Sequence, residues 1–350
     1  MKPLSIGERL DAFWSGEQPD RIPYTIYQNE WKHMATDPRW QPLYEKGLGV
    51  TWHLASVKEE WAHGIEMAHD TWTVDGQKHE RHTIKTPVGE IYDSLVDEWQ
   101  KKYFLETAED YRVMTYVARH TTLQPAYEAF AEKARQIGPY GIPLVMLGRT
   151  PLQSILVDFV GLENFAYQLV DLHDEMMELY NALLDVLRRK VELVAGGPGR
   201  FVSVLENFTA DSLGPVRYRQ LLLPVYQELF PILQRAGKIV GTHYDGQLSA
   251  CKHLIAQAPI DLIESLTPPP EGDMSLAEAR AAWPEKLFWS NLNVACYYLP
   301  PEELKKIVWQ RIQEAAPDGR RLAFEVSEQY PDNWPESVGA VLDALADYKL

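Results

Sequence analysis

From residue 138 onward the chain alternates short apolar runs with longer amphipathic stretches, and this alternation limits the fold more than any other feature. The runs are IPLVML (142–147), FVSVLE (201–206), KIVGTH (238–243), IDLIES (260–265), KLFWSN (286–291) and RLAFEV (321–326). Between them lie stretches such as VRYRQLLLPVYQELFPILQRAG (216–237) and PPEELKKIVWQRIQEA (300–315), the first closed by Gly237 and Lys238 in the manner of a helix C-terminus. Strands alternating with helices at this spacing make parallel βαβ units. RIPYTIY (21–27) supplies a first strand, and LGVTWHL (48–54) a weaker extra one. Seven or eight parallel strands in one chain favour a closed (β/α)8 TIM barrel. The alternative, an open doubly wound sheet, wants a glycine-rich phosphate loop after its first strand, and neither GxGxxG nor GxxxxGK[ST] occurs.

The chain of 350 residues is 45% hydrophobic, enough for a large core, and α/β barrels of this length form single units, so one domain over 1–350 is expected. A net charge of -16 repels phosphate backbones and excludes nucleic acid as a partner. Two cysteines, Cys251 and Cys296, make no disulfide framework and fit a reducing cytoplasm. The N-terminal MKPLSIGERLDAFWSGEQPDR reads as an amphipathic helix and not a signal peptide, and no apolar run approaches the ~20 residues of a membrane span. A soluble cytoplasmic protein is expected. Residues 65–98 alternate polar and apolar with DG and VG turns, which predicts an antiparallel hairpin or meander inserted early in the barrel. Residues 108–137 and 162–195 read as extra helices.

In (β/α)8 barrels the working residues sit at the C-terminal ends of the strands. Those ends carry Arg149 and Thr150; Glu206 and Asn207; His243, Tyr244 and Asp245; Glu264; Asn291 and Asn293; and Glu325, Ser327 and Glu328. Side chains alternate along a strand, so Gly241, His243 and Asp245 share one face. Val202, Val204 and Glu206 share another, as do Phe324, Val326 and Glu328. This parity brings Glu206, His243, Asp245 and Glu328 toward a common mouth. One imidazole with two or three carboxylates suits a divalent ion such as zinc, and an open coordination position would make that ion a Lewis acid. Without metal, the same groups form a general acid/base set.

Blander readings stand beside these. His243 alone fits a hydrogen-bonded core histidine equally well. Asp245 before Gly246 is a good turn or helix-cap residue. Glu206 fits a helix cap or a pair with Arg217, Glu328 a surface loop, and Arg149 a salt bridge. His79 and His82 read as solvated, and His53, His63 and His69 as surface or insert residues. Cys251 reads as packed and Cys296 as a loop residue without an activating neighbour. Tyr27, Trp31 and Tyr244 are candidates to face an aromatic substrate.

Several segments together carry a family likeness. ERLDAFWSGEQPDRIPY, TPVGEIYD, GRTPLQSILVDFVGLENF, GKIVGTHYDGQLSACKHLIAQAPIDLIESLTPPPEGDMSLAEARAAW and WPESVGAVLDAL follow in this order over most of the chain. In order and spacing the chain resembles the uroporphyrinogen decarboxylase superfamily, and within it the zinc-dependent, corrinoid-linked methyltransferases of O-demethylation. The resemblance implies a (β/α)8 barrel with its site at the C-terminal mouth. It also implies zinc, held in those relatives by a His-x-Cys pair and a later Cys. The pair falls on His243-Tyr244-Asp245, and the later Cys falls on Glu328, seven residues before Pro335. This chain therefore keeps the histidine and replaces both thiolates by carboxylates.

A His/carboxylate site is harder than a thiolate one and suits polarising an ether or alcohol oxygen. The decarboxylase's arginine-rich motif is missing, since RIPYTIYQNEW has no arginine after Arg21. The expected function is transfer of a methyl group from a small O-methylated compound, a methoxylated aromatic among the candidates, to a corrinoid carried by a partner protein. His243 and Glu328 would be metal ligands, with Asp245 and Glu206 as further ligands or as catalytic and orienting groups. Tyr244, Asn207, Asn291, Arg149 and Tyr27 would bind substrate. The alternative is a metal-free decarboxylase of a small acid, using Arg149 and an acid such as Asp245. A homodimer is left open, and no nucleic acid or membrane partner is expected.

Overall fold

The computed structural model describes residues 3–27, 37–326 and 332–349. They form two compact units, one of residues 1–56, 127–148 and 195–350, the other of residues 57–126 and 149–194. The first unit is a closed parallel barrel. Its strands are β1 (Tyr24–Tyr27), β2 (Leu48–Leu54), β3 (Gly141–Gly148), β4 (Phe201–Val204), β5 (Ile239–His243), β6 (Leu262–Leu266), β7 (Leu287–Asn291) and β8 (Leu322–Glu325). Each pairs with its sequence neighbour, and β1 closes against β8. All eight fall on the apolar runs, so the expected (β/α)8 barrel is what the chain forms.

The floor of the barrel is apolar. The helix Ile6–Trp14 is capped by a box in which the Ser5 hydroxyl accepts from the Glu8 N–H while the Glu8 carboxylate accepts from the Ser5 N–H. Ile6, Leu10, Phe13 and Trp14 recur at helical spacing, and this face is fully buried. It joins Ile142 and Leu144 of β3, Phe201 of β4, Leu262 of β6, Leu287 and Trp289 of β7 and Ala323 of β8 in one cluster. The Trp14 ring lies 4.8 Å from Phe201 and 5.8 Å from Trp289. Burying each of these helix side chains contributes roughly 1.5–3 kcal/mol before entropy is charged against it. Gly241 of β5 is required by this packing, because a Cβ there would lie 3.0 Å from the Trp14 ring and 2.9 Å from Leu262.

The second unit holds a four-stranded antiparallel meander, Glu66–Val74, Gln77–Thr86, Gly89–Val96 and Trp99–Lys102. Asp75 and Gly76, both at positive φ, make its first two-residue turn, as the DG signal predicts. The antiparallel region is wider than 65–98. Val57–Trp61 pairs with Thr121–Pro125 in a separate two-stranded sheet. That pairing spans some sixty residues of sequence, so no local pattern announces it. The helices Ala108–Arg119, Leu162–Asp171 and most of His173–Gly196 complete this unit. Among the described residues no helix is long and apolar enough to cross a membrane.

The floor makes a direct prediction. Trp14→Ala removes the largest helix side chain from this buried cluster, and should lower unfolding stability by about 3–5 kcal/mol in urea titration. A loss under about 1 kcal/mol would show that the helix does not plug the barrel.

Candidate functional site at the barrel mouth

Above the floor, the same inward rows turn polar. β2 contributes His53, β4 Ser203, β5 His243, β6 Glu264, β7 Asn291 and β8 Glu325. Glu264 is 2% exposed. The Ser203 hydroxyl donates to Glu264 Oε2 at 3.3 Å. With its one proton used there, Ser203 Oγ accepts from His53 Nε2 at 3.2 Å, which sets the histidine tautomer. His53 Nε2 stands 3.9 Å from Glu264 Oε1, and His243 Nδ1 stands 4.0 Å from Glu264 Oε2. One buried carboxylate thus lies between two imidazoles. Burial holds the His53 pKa below its ordinary value, aided by the neighbouring His243 and opposed by Glu264.

Glu325 is a second buried carboxyl in this layer. Ser265 has a positive φ of 58°, and the β6–β7 register shifts between Glu264 and Leu266. This bulge turns both the N–H and the hydroxyl of Ser265 onto Glu325 Oε1, at 3.0 and 3.2 Å. Burial first, then the charge of Glu264, push the Glu325 pKa well above the ordinary carboxylate range, and the Ser265 donors offset only part of that rise. Tyr27 reaches the same serine, its hydroxyl 3.5 Å from Ser265 Oγ, and its ring lies 5.9 Å from His53.

At the upper edge His243 Nε2 stands 3.5 Å from Asp245 Oδ2. Asn207, at a positive φ of 46°, donates its amide to the same oxygen at 3.2 Å. Burial alone would raise the Asp245 pKa, but His243 and Asn207 hold it below the ordinary value. Gly246 lets the chain turn here, since a Cβ would fall 2.2 Å from Thr209. His243 and Asp245 open on a cavity of about 190 Å³, lined also by Ser265, Thr267, Glu271, Asn291 and Asn293.

The structure thus brings His243, Asp245, Asn207 and Asn291 together, with Tyr27 bonded to the adjoining Ser265. It does not bring Glu206 or Tyr244 to the mouth. On β4 the inward residues are Phe201 and Ser203, so Val202, Val204 and Glu206 face the surrounding helices. Glu206 is wholly buried there and accepts from the Tyr226 hydroxyl at 3.0 Å. Tyr244 donates to Tyr226 at 3.1 Å and shares a hydrogen bond with Tyr218, with no exposed surface. This outer tyrosine network corrects the placement of Glu206 as a ligand or catalytic group and of Tyr244 as a substrate contact. On β8 the inward residues are Ala323 and Glu325, and the row of Phe324 and Val326 faces outward. Glu328 and Trp31 lie outside the described residues. Arg149 belongs to the second unit, where its guanidinium pairs with Asp158 at 2.9 Å.

His53, Ser203, Glu264 and Glu325 are the members that the strand-end reading left without a role. His53 was expected at the surface because β2 is a weak strand pattern; counting its inward row, Gly49, Thr51 and His53, would have found it. Both thiols have raised pKa values, Cys251 to about 11, mainly through burial. Among the described residues no three His, Cys, Asp or Glu side chains form a metal cluster. His243 Nε2 and Asp245 Oδ2 do fit as half of one. Two ligands each about 2 Å from a tetrahedral zinc stand roughly 3.3 Å apart.

No family model matches the sequence, and no curated protein matches it. Among solved structures, a B12-independent methionine synthase from Shewanella sp. W3-18-1, in complex with selenomethionine, aligns at 12% identity over 90% of this chain and 87% of that one, with a TM-score of 0.41. A GH20 catalytic module of a pneumococcal exo-β-D-N-acetylglucosaminidase aligns at 10% identity over 97% and 86%, with a TM-score of 0.38. Likenesses this distant carry no argument about function.

The raised pKa of Glu325 is testable through stability. Its folded pKa lies above the ordinary 4.5, so the stability it contributes is complete below that value and is lost as pH rises toward the folded pKa. Glu325→Gln cannot ionise. The melting temperature of the variant relative to the natural protein should therefore climb as pH rises above the ordinary 4.5. Parallel melting curves above that pH would show that the Glu325 pKa is not raised.

Proposed function

We propose that this chain is a methyltransferase of the uroporphyrinogen decarboxylase-like type, moving a methyl group from a small O-methylated compound to a corrinoid carried by a partner protein. The observation that carries the reading is the His243–Asp245 pair at the end of β5, 3.5 Å apart and opening on a polar cavity. It occupies the His-x-Cys position of the resemblance. Zinc would be held by His243 and Asp245, with Glu328 from outside the described residues, and would supply Lewis acidity toward the oxygen of the methyl donor.

This chain's own residues would do the rest. Glu264 lies against the Nδ1 side of His243, which leaves Nε2 to the Asp245 side. Asn207 fixes the carboxylate of Asp245. Glu325, whose pKa burial and Glu264 push upward, is the acid of the same layer that would supply a proton to the departing oxygen. The decarboxylase alternative is less well supported. Its substrate would bring a carboxylate to a cavity lined by Asp245 and Glu271, with no Lys or Arg among the described lining residues. The arginine expected to help it, Arg149, is paired with Asp158.

The test is an anaerobic assay of zinc-loaded protein with free cob(I)alamin and a panel of methyl ethers, followed by the cobalamin spectrum and by the demethylated product. Zinc-dependent methylation is expected. His243→Ala and Asp245→Ala should each lower the rate by more than the ~10–100-fold that loss of an outer partner alone costs a metal site. No methylation from any ether, or variants as fast as the natural protein, would overturn the proposal.

A further inference from the structure

The strand Glu66–Val74 stands at one edge of the meander, and all nine of its residues are exposed. Such an edge presents unpaired N–H and C=O groups to any strand that meets it, and proteins ordinarily blunt it. The opposite edge, Trp99–Lys102, is blunted in three ways. It is four residues long, the register beside it shifts between Ser94 and Leu95, and it carries Lys101 and Lys102. Glu66–Val74 contains no proline, glycine, lysine or arginine, and it pairs along its whole length with Gln77–Lys85 in unbroken register. Its two acidic residues, Glu66 and Asp70, stand opposite Lys85 and Arg81, so charge does not protect this edge as it does the other. Met67 is 48%, Trp72 39% and Val74 46% exposed.

The turn fixes which backbone groups face outward. Val74 and Gln77 close the two-residue turn, and a closing pair of this kind is hydrogen-bonded. Bonded and non-bonded pairs alternate from there. The N–H and C=O groups of Thr73, Thr71, His69 and Met67 therefore point away from the sheet. When this strand meets its own copy antiparallel, about a two-fold axis perpendicular to the sheet, these residues face one another in every register that keeps the sheet faces continuous. The longest such register sets Asp70 against itself across the axis, a like-charge contact that is destabilising. Centring the axis on His69 leaves Val74 beyond the end of the pairing. Centring it on Thr71 sets Asp70 against Trp72, Ala68 against Val74 and His69 against Thr73, with no like charges opposed.

We propose that two copies of this chain pair antiparallel through Glu66–Val74, with Thr71 on the two-fold axis, making one eight-stranded sheet from two meanders. The occupant of the edge is a second copy because the two-fold uses both open edges and leaves only the lysine-bearing ones outside, so the assembly closes at a dimer. The strand pair is small beside the ~1,200–2,000 Å² of a standard interface, and the dimer should therefore dissociate in the micromolar range.

The test is sedimentation velocity of the full chain from about 1 µM to about 500 µM, where a reversible monomer–dimer equilibrium is expected. Thr71→Pro removes an outward N–H without touching the ladder to Gln77–Thr86, and should weaken the dimer by about tenfold or more. Thr71→Val keeps that N–H and should leave the dimer in place. Both variants are checked for an unchanged melting profile. Facing residues of paired strands stand ~4.5–5.5 Å apart at Cα, within reach of a disulfide. In a Cys296→Ser background, which leaves only the buried Cys251, Thr71→Cys should couple to its own copy on mild oxidation and Ala68→Cys should not. A monomer across the whole range overturns the proposal and leaves the edge to a foreign strand. A dimer that Thr71→Pro does not weaken, or one in which Ala68→Cys couples and Thr71→Cys does not, overturns it equally.

Discussion

A carboxylate deep inside a barrel has to be met by donors and positive charge, and Glu264 is met from three strands. Ser203 of β4 donates to it, His53 of β2 stands behind that serine, and His243 of β5 lies against its other side. An isolated ionised group in such a place would cost several kcal/mol or change its protonation state. Burial and the neighbouring Glu264 push the pKa of Glu325 well above the ordinary carboxylate range. The orientation of His243 follows from this arrangement. One ring nitrogen belongs to the interior, and the other is left to Asp245 and the cavity.

This upper layer depends on the lower one. The N-terminal helix and the inward apolar residues fill the floor so completely that β5 must carry glycine at position 241. Two residues further along the same row the side chain is His243, and two further again Asp245. The change from apolar to polar therefore happens within a single strand, over about one turn of pleat. Ser265 adds a local departure from the regular pleat, and it is this bulge that gives the buried acid its donors.

The barrel was legible because, from residue 138 onward, compact apolar runs alternate with amphipathic stretches. The β5 part of the site was legible for the same reason, since alternation placed Gly241, His243 and Asp245 on one face. Alternation cannot say which of the two faces is inward. On β4 the polar residue that looked functional, Glu206, belongs to the row facing the helices. Ser203 and Glu325 hold the inward positions. Both faces of these strands are buried, so hydrophobicity does not distinguish them. The tyrosines that enclose Glu206 come from a helix and from the next strand, which is tertiary information. The two-stranded sheet of the second unit was hidden by sequence separation alone.

A barrel of this kind supports many chemistries, so the case for function rests on the donor set at the mouth and not on the fold. Its most direct test is X-ray absorption at the zinc edge on full-length protein reconstituted with zinc. The account predicts about one bound zinc per chain, coordinated by one imidazole and oxygens with no sulfur, and loss of the imidazole contribution in His243→Ala. A protein that binds no zinc, or a zinc whose shell contains sulfur or survives unchanged in His243→Ala, would contradict it.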